Sequence, residues 1–276
     1  NLEEAVDFLR KNGLAAAAKK SGRVASEGLI GVATKDGIGA LVEINAETDF
    51  VARNDDFQSF VSTVAGIMLD GVGNIEEAVD APFPGTERSV GEQLTHNIAT
   101  IGENMSMRRG ETISVEQGCV VSYIHNALSA GLGKIGVLVA LESTGNKTSL
   151  EQLGKQIAMH VAAARPEALS VESISAESVE RERNVLIEQA KASGKPDNII
   201  EKMVEGRLRK YYEEVALMEQ TFVIDNETKI SKVVEKAAND VGAPVFLTGF
   251  LRYELGEGIE KAEADFAAEV AATLNT

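Results

Sequence analysis

The fold is decided by one stretch near the start of the chain, residues 28–44, which reads GLIGVATKDGIGALVEI. Its Asp36-Gly37 pair lies between two runs rich in aliphatic residues, and Asp-Gly in that setting is a strong signal for a β-hairpin. We therefore predict antiparallel strands over Gly28 to Ala33 and Ile38 to Ile44. A helix is predicted next, over Gln58 to Leu69, because apolar residues recur there at helical spacing.

The same order of elements returns later in the chain. Cys119 to Ile124 and Ile135 to Leu141 are strand-like, and Leu150 to Ala164 is helical. Gly39 and Gly136 are 136 − 39 = 97 positions apart, and the same offset relates Leu41 to Leu138, Val42 to Val139 and Val64 to Val161. A constant offset through strand and helix predicts a duplicated hairpin-plus-helix unit, present in two copies rather than as a repeat array.

Two long charged helices are predicted beyond the second copy, over Ala176 to Ala192 and Asn198 to Leu217. The turn between them is so short that the helices must run antiparallel. Their apolar stripe is thin, which is typical of a protruding coiled-coil hairpin. The predicted stripe consists of Val179, Leu186, Ala190, Ile199, Met203 and Tyr211.

The remaining elements lie between the copies and at the two ends. Helical or extended patterns predict a helix over Glu87 to Ala99, a strand over Met105 to Val115, a short buried strand at Phe222-Val223-Ile224, a helix over Ile230 to Asn239, a strand around Val245 to Tyr253, and terminal helices over Leu2 to Lys11 and Ile259 to Leu274. Ala15 to Lys20 looks like a connector. Because the chain opens inside a helical pattern, we expect the native N-terminus to precede Asn1.

The composition indicates an acidic protein with about two domain-sized units. Of 276 residues 44% are apolar, and 27 Lys and Arg against 43 Asp and Glu give 27 − 43 = −16 at pH 7. That charge repels phosphate backbones, so we expect a protein partner and no direct nucleic acid. No apolar run approaches a membrane span and no signal peptide is visible. A single cysteine, Cys119, fits a reducing cytoplasm and is expected to be a small buried residue.

Motifs for covalent chemistry are weak. Gly131 to Gly136 matches GxGxxG, but dinucleotide binding needs a helix after that motif and here a strand is predicted to follow. The histidines His96, His125 and His160 lack the spacing of a metal site. We expect His160 to be a packing or helix-surface residue and His125 to be exposed at a strand end. The prediction is no enzyme, no cofactor and no metal. A nicotinamide enzyme would rest on the glycine motif alone.

One connecting segment is a candidate for binding: Thr48-Asp49-Phe50-Val51-Ala52-Arg53-Asn54, between the second strand and the next helix. In one interpretation Thr48 or Asn54 caps a helix and Phe50 packs into the local core. In the other, Phe50 is an exposed aromatic anchor for a pocket on a partner. The local pattern leaves both open.

Four motifs together resemble the bacterial elongation factor Ts family. Glu47 to Arg53 is similar to the family signature, and Ile101 to Arg109 resembles its second motif. Ile157 to Ala163 and Glu254 to Glu260 are similar to later family stretches. The resemblance covers nearly the whole chain in order. It departs at the start, where the family has a three-helix module and this chain keeps only what looks like the last helix.

The resemblance implies a function and a set of site residues. Members of the family are guanine nucleotide exchange factors for elongation factor Tu in translation elongation. By resemblance, Asp49 and Phe50, flanked by Thr48 and Val51, would intrude beside the nucleotide and Mg²⁺ site of the partner. Further contacts would be made by Ile101, Gly102, His125, Val223 and Ile224, and the helix from Ile259 would dock on the GTP-binding domain.

The expected architecture is α+β, with two related antiparallel-sheet-plus-helix subdomains, an inserted antiparallel coiled-coil hairpin and terminal helices. The expected divisions are 1–20 (remnant of an N-terminal helical module and linker), 21–116 (first core subdomain), 117–258 (second core subdomain, with the hairpin 176–217 inserted) and 259–276 (C-terminal helical module). A homodimer or a 2:2 complex with the partner stays open. So does a second function class, a scaffold or dimerisation protein that uses the hairpin.

Overall fold

Two antiparallel sheets form the centre of the computed structural model, which describes residues 11, 13–35, 37–192, 194 and 196–260. The first sheet has the order β3-β2-β1-β5 and consists of β1 (Glu27–Lys35), β2 (Ile38–Ala46), β3 (Met105–Ser114) and β5 (Leu132–Gly133). The second has the order β4-β6-β7 and consists of β4 (Gly118–His125), β6 (Ile135–Glu142) and β7 (Phe246–Glu254). The predicted α+β class is therefore confirmed.

The helices lie around these sheets and in one hairpin. They are α1 (Asp49–Ala52), α2 (Asp55–Leu69), α3 (Ile75–Asp80), α4 (Val90–Ile101), α5 (Lys147–Ala164), α6 (Ala176–Lys191), α7 (Asp197–Val215) and α8 (Ile230–Val241). Short 3₁₀ turns occupy Val171–Ser173 and Leu217–Glu219. Residues 13–20 are also helical, so the segment predicted as a connector, Ala15 to Lys20, has helical rather than irregular structure. Alanine and lysine are strong helix formers, which accounts for the difference.

The predicted duplication is confirmed and extends to a third strand. In each sheet the central strand has a register shift, between Glu43 and Ile44 in β2 and between Ala140 and Leu141 in β6, and these sites differ by 140 − 43 = 97 positions. In each unit a glycine with positive φ lies within the first two residues of the first strand: Gly28 (122°) in β1 and Gly118 (145°) in β4. A Cβ on Gly28 would collide with the Ile44 carbonyl oxygen, and one on Gly118 with that of Leu141.

Strand β2 contributes to two hydrophobic cores, because apolar residues pack against both of its faces. Val42 and Ile44 face the core formed with α2, where Phe57 and Phe60 are fully buried. Leu41 points the other way, into the layer between the two sheets. A second core of the same kind joins β4 and β6 to α5. Burying each large aliphatic or aromatic side chain stabilises such cores by roughly 1.5–3 kcal/mol.

A buried carboxylate, Glu43, ties the first sheet to the segment after β7. Its oxygens accept hydrogen bonds from Arg108 Nη1 (3.0 Å), Arg109 Nε (2.6 Å) and the Gly256 amide (2.8 Å). The Arg109 guanidinium also lies 4.2 Å from the centroid of the Tyr253 ring. Burial opposes ionisation of Glu43, but the bonds from Gly256 and Arg109 outweigh it and lower its pKa. The two arginines of the second motif therefore have a structural role. Together with Glu43 and Gly256 they form a clamp between the first sheet and the segment after β7.

The helical hairpin packs through one apolar stripe, whose position on α7 differs from the prediction. Leu186 and Ala190 of α6 are buried as predicted, but the α7 members are Ile200, Val204 and Leu208. Ile199 is exposed, and Met203 and Tyr211 are only half-buried. Two isoleucines are adjacent at 199 and 200, so the sequence allows the stripe to start at either. Apolar residues recur every four positions as far as Leu208 only when the stripe starts at Ile200.

The other predicted elements are present with small shifts in their ends, except the strand at 222–224, which is a turn. The sequence pattern does not predict α3, because its six residues carry too few apolar side chains to show a period. The helices predicted over Leu2 to Lys11 and Ile259 to Leu274 lie almost wholly outside the described residues. In the part of the chain that the structure describes, no helix combines the length and apolar character needed to cross a membrane.

Candidate partner-binding site

Phe50 is exposed on a short helix at the end of β2. Its side chain is 77% exposed, whereas its neighbours Val51 (5%) and Ala52 (8%) are buried. Successive residues of a helix point about 100° apart, so anchoring Val51 and Ala52 in the core turns Phe50 outward. Asp49 is exposed beside it. The interpretation that places Phe50 in the local core is wrong, and the one that offers an exposed ring agrees with the structure.

The first motif, Glu47 to Arg53, is hydrogen-bonded to the second motif, Ile101 to Arg109. Glu103 accepts two hydrogen bonds from Thr48, one from the backbone amide (2.9 Å) and one from the hydroxyl (2.6 Å). In the opposite direction Glu47 accepts a hydrogen bond from the Asn104 amide. These reciprocal bonds hold the chain just before α1 against the chain just after α4. Sequence reasoning missed Glu103 as a site residue, although it lies inside the second motif.

Ile101 and Gly102 end α4 next to Glu103. Ile101 is half-buried and packs against the first core, whereas Gly102 is exposed. Gly102 is the C-cap of α4 and has φ = 94°, a conformation that glycine adopts without strain. This cap reverses the chain direction so that Glu103 meets Thr48. The structure therefore brings Thr48 to Val51 together with Ile101 and Gly102.

The far side of α1 is fixed by polar side chains from α2. Asn54 caps α2, since its side-chain oxygen accepts a bond from the Phe57 amide at 3.0 Å, which confirms one of the two predicted caps. Thr48, the other, makes no capping bond and uses its hydroxyl for Glu103. Gln58 donates to the Ala52 carbonyl (3.1 Å) and accepts from the Ser129 hydroxyl (3.0 Å). Phe50 is therefore presented from a helix held on both sides.

If a partner binds at Phe50, we expect replacement of Glu103 by alanine to weaken that binding without unfolding the chain. The change removes two hydrogen bonds that position α1, and a bond to a charged group contributes about 1.5–3 kcal/mol. If half of that is lost from a partner complex, binding weakens by about three- to tenfold. Titration of a partner by fluorescence would measure it. Glu116→Ala, at an exposed carboxylate of the β3–β4 turn, is the control. Equal affinity of both variants would contradict the bracing role.

His125 lies at the end of β4, on the second sheet, and is exposed as predicted. Its Nδ1 is 3.1 Å from the Tyr123 hydroxyl. The loop that follows it returns through Gly131 to the short strand β5, which pairs with β1. The GxGxxG match at Gly131 to Gly136 thus leads into β6 rather than into a helix N-terminus. The strand predicted after the motif is confirmed.

Val223 and Ile224 lie in an exposed turn, so the prediction of a short buried strand is wrong. Their side chains are 38% and 50% exposed, while Phe222 is buried at 5%. A run of three apolar residues is too short to show a strand period, and here Phe222 alone enters the core. Asp225 stabilises the turn by accepting from the amides of Glu227 and Thr228, both at 3.0 Å.

His160 is fully buried beneath this turn, which makes it a packing residue. Its Nδ1 is 3.2 Å from the Val223 amide and its Nε2 is 2.9 Å from Gln220 Oε1. Its ring lies 5.9 Å from that of Phe222, centroid to centroid. Burial lowers the pKa of His160, although the bond to Gln220 opposes this shift. The imidazole is therefore neutral at pH 7.

The His160 network predicts a loss of stability in mild acid. Because the folded pKa lies below the ordinary 6.5, the unfolded chain binds more protons than the folded chain as the pH falls below that value. This contribution to the free energy of unfolding is complete above pH 6.5 and decreases below it. Urea unfolding at about pH 7.5 and about 5.5 measures it. His160→Asn should lose less stability over the interval; an equal loss would contradict the assignment.

Two further observations concern the reactivity of the thiol and the capacity to bind a metal ion. Cys119 is buried on β4, and burial raises the pKa of its thiol to about 11, so the group is a neutral packing residue at pH 7. Among the residues described, no group of three or more His, Cys, Asp or Glu side chains is arranged to hold a metal ion. The features that the site offers are an exposed aromatic ring, an exposed carboxylate and a braced backbone.

Several known proteins are similar in sequence to this chain over almost its full length. The family model described as elongation factor TS matches residues 47–257. Elongation factor Ts of Rhodospirillum rubrum is 64% identical over 275 residues, which cover 99% of this chain and 89% of that protein. The proteins of the same name from Rhodospirillum centenum and Paramagnetospirillum magneticum are 63% and 61% identical, over 98% and 100% of this chain and 88% of each relative. The chain therefore belongs to the elongation factor Ts family.

Proposed function

We propose that this chain is a guanine nucleotide exchange factor that binds elongation factor Tu and promotes release of GDP during translation elongation. It performs no covalent chemistry of its own. Family membership supports the proposal, and the observation that carries it is the exposed Phe50 on a braced helix. Asp49 and Phe50 enter beside the nucleotide and Mg²⁺ site of the partner.

The exchange mechanism is a difference in binding free energy. An exchange factor needs to bind the nucleotide-free partner more tightly than the loaded partner, and the coupling is reciprocal: the factor weakens the nucleotide as much as the nucleotide weakens the factor. Weakening a ligand about 10⁴-fold requires roughly 5.5 kcal/mol of differential binding. Burying one phenylalanine contributes about 1.5–3 kcal/mol. Phe50 therefore acts together with other contacts.

Asp49 supplies a second contribution next to the ring. A carboxylate placed beside a Mg²⁺ ion competes with the existing ligands, since oxygen ligands are those that Mg²⁺ prefers. The same charge repels the phosphates of the nucleotide. Both effects favour the state of the partner from which nucleotide and metal have left. Ile101 and Gly102 support this contact, and His125, Val223 and Ile224 touch the partner elsewhere.

Bracing of α1 makes these contacts more effective. An exposed aromatic on a loose loop would lose conformational freedom on binding, which costs about 0.5–1.5 kcal/mol per immobilised side chain before backbone ordering is counted. Glu103 and Gln58 fix the backbone on either side of Phe50 before the partner arrives. More of the interaction free energy is then available for displacing the nucleotide.

Stopped-flow release of fluorescent GDP from elongation factor Tu, with and without this chain, tests the proposal. An exchange factor accelerates release in proportion to its concentration until it saturates. A scaffold or dimerisation protein, the alternative function, would bind the partner and leave the release rate unchanged. Unchanged release in the presence of demonstrated binding would therefore replace the exchange proposal with the scaffold.

A further inference from the structure

We propose that His160 is a positioning residue that fixes the Val223-Ile224 turn in the conformation presented to elongation factor Tu. The inference rests on the proposed function, in which Val223 and Ile224 contact the partner. It adds a residue that does not itself reach the surface, since His160 is 0% exposed. The link between them is the hydrogen bond from the Val223 amide to His160 Nδ1, at 3.2 Å.

The neighbouring bonds determine which ring nitrogen carries the proton. The Val223 amide is a donor, so Nδ1 must be an unprotonated acceptor. Nε2 then carries the hydrogen and donates to Gln220 Oε1 at 2.9 Å. The Gln220 amide is oriented in turn, because its Nε2 donates to the carbonyl of Glu214 at 2.6 Å. A chain of three side-chain bonds thus runs from the end of α7 through His160 to the exposed turn.

The rest of the turn is closed independently of His160. The Phe222 amide donates to the Thr228 carbonyl and the Asn226 amide to the Phe222 carbonyl, both at 2.8 Å. These bonds fix the base and the far side of the turn. The bond to His160 Nδ1 fixes the backbone at Val223, the residue before Ile224. Losing it leaves the turn closed but its two apolar side chains free to reorient.

Such a residue acts through pre-organisation. Val223 and Ile224 are exposed in the free chain, so their contribution to a complex depends on how much freedom they lose when it forms. A buried imidazole packed against Phe222 and bonded on both nitrogens restricts the turn beforehand. The chemistry fits the role, because a neutral ring can accept from one backbone group while it donates to another.

Two substitutions separate the two bonds of His160. In His160→Asn the amide oxygen lies near the position of Nδ1 and can accept from Val223, but it does not reach Gln220. In His160→Gln the longer amide reaches Gln220 and leaves the Val223 amide without its acceptor. Both variants lose the ring and so share its packing cost. We expect His160→Asn to bind elongation factor Tu within about twofold of the original chain and His160→Gln to bind about three- to tenfold more weakly.

A double-mutant cycle with Ile224→Ala shows whether the effect passes through the turn. In the original chain, Ile224→Ala should weaken binding about fivefold. In the His160→Gln background the same change should cost less than about twofold, because the residue is no longer held in place. Phe50→Ala should have the same effect in both backgrounds. Equal affinity of the Asn and Gln variants, or an Ile224→Ala effect that is unchanged by His160→Gln, would overturn the inference.

A spectroscopic measurement tests the same bond without relying on a variant to fold. The ¹⁵N chemical shifts of the His160 ring in the unmodified chain should report a proton on Nε2 and an acceptor at Nδ1. The opposite tautomer would rule out the Val223 bond and the positioning role with it. If the unmodified chain neither binds elongation factor Tu nor accelerates GDP release, the proposed function fails. If it does both and the His160 variants match it, only this inference fails.

Discussion

Replacing Phe50 by alanine is expected to reduce the acceleration of GDP release by about 10- to 100-fold. The ring is 77% exposed in the free chain and becomes buried in the proposed complex. Losing about 1.5–3 kcal/mol of apolar burial, at about 1.4 kcal/mol per tenfold, gives that range. The free energy of unfolding should change by no more than about 0.5 kcal/mol, as for other exposed positions. Stopped-flow release and urea unfolding measure the two quantities.

Phe246→Ala is a matched control for this prediction. Phe246 is 60% exposed at the start of β7 and belongs to no predicted contact, so its loss should leave GDP release unchanged. A comparable loss in both variants would indicate a general effect of removing exposed aromatic rings. Unchanged release by Phe50→Ala would show that Phe50 is not the anchor.

Replacing Glu43 by alanine is expected to destabilise the chain by about 3 kcal/mol or more. Glu43 is fully buried and accepts from Arg108, Arg109 and Gly256. Removing one partner of a buried ion pair leaves the remaining charges uncompensated and costs about 3–5 kcal/mol. Arg108 and Arg109 are about 30% exposed, so water offsets part of this loss. We expect a decrease in Tm of about 10 °C by calorimetry.

The control for Glu43 is an exposed ion pair on the helical hairpin. Glu177 pairs with Arg181 at 3.0 Å while both side chains are more than two-thirds exposed. Glu177→Ala should change the free energy of unfolding by less than about 0.5 kcal/mol. A loss below about 1 kcal/mol for Glu43→Ala would mean that the clamp does not join the first sheet to the segment after β7.

Much of the fold could be predicted because its signals are local. The hairpin, the helix α2 and the offset of 97 depend on turn chemistry and periodicity, and the structure confirms them. The sequence pattern places the stripe of α7 one residue early because Ile199 and Ile200 are both apolar, and only contact with α6 decides between them. The short helix α3 and the 222–224 turn offer too few residues for a period to appear.

The candidate site was predictable as a segment but not as a geometry. The pattern around Phe50 allowed a buried or an exposed ring, and the outcome depends on Val51 and Ala52 occupying the core. Glu103 and His160 were missed as functional candidates because their partners lie 55 and 63 positions away along the chain. No local pattern reveals such pairs. What marked both residues was their place inside the motifs that resemble the family.

The decisive quantity is the affinity of this chain for elongation factor Tu in two states of the partner. Titration calorimetry measures it first with the partner free of nucleotide and then with the partner saturated with GDP. By linkage, the ratio of the two dissociation constants equals the factor by which the chain weakens GDP binding. We predict that the nucleotide-free partner binds more tightly by about two to four orders of magnitude. Equal dissociation constants in the two states would contradict the proposed exchange mechanism.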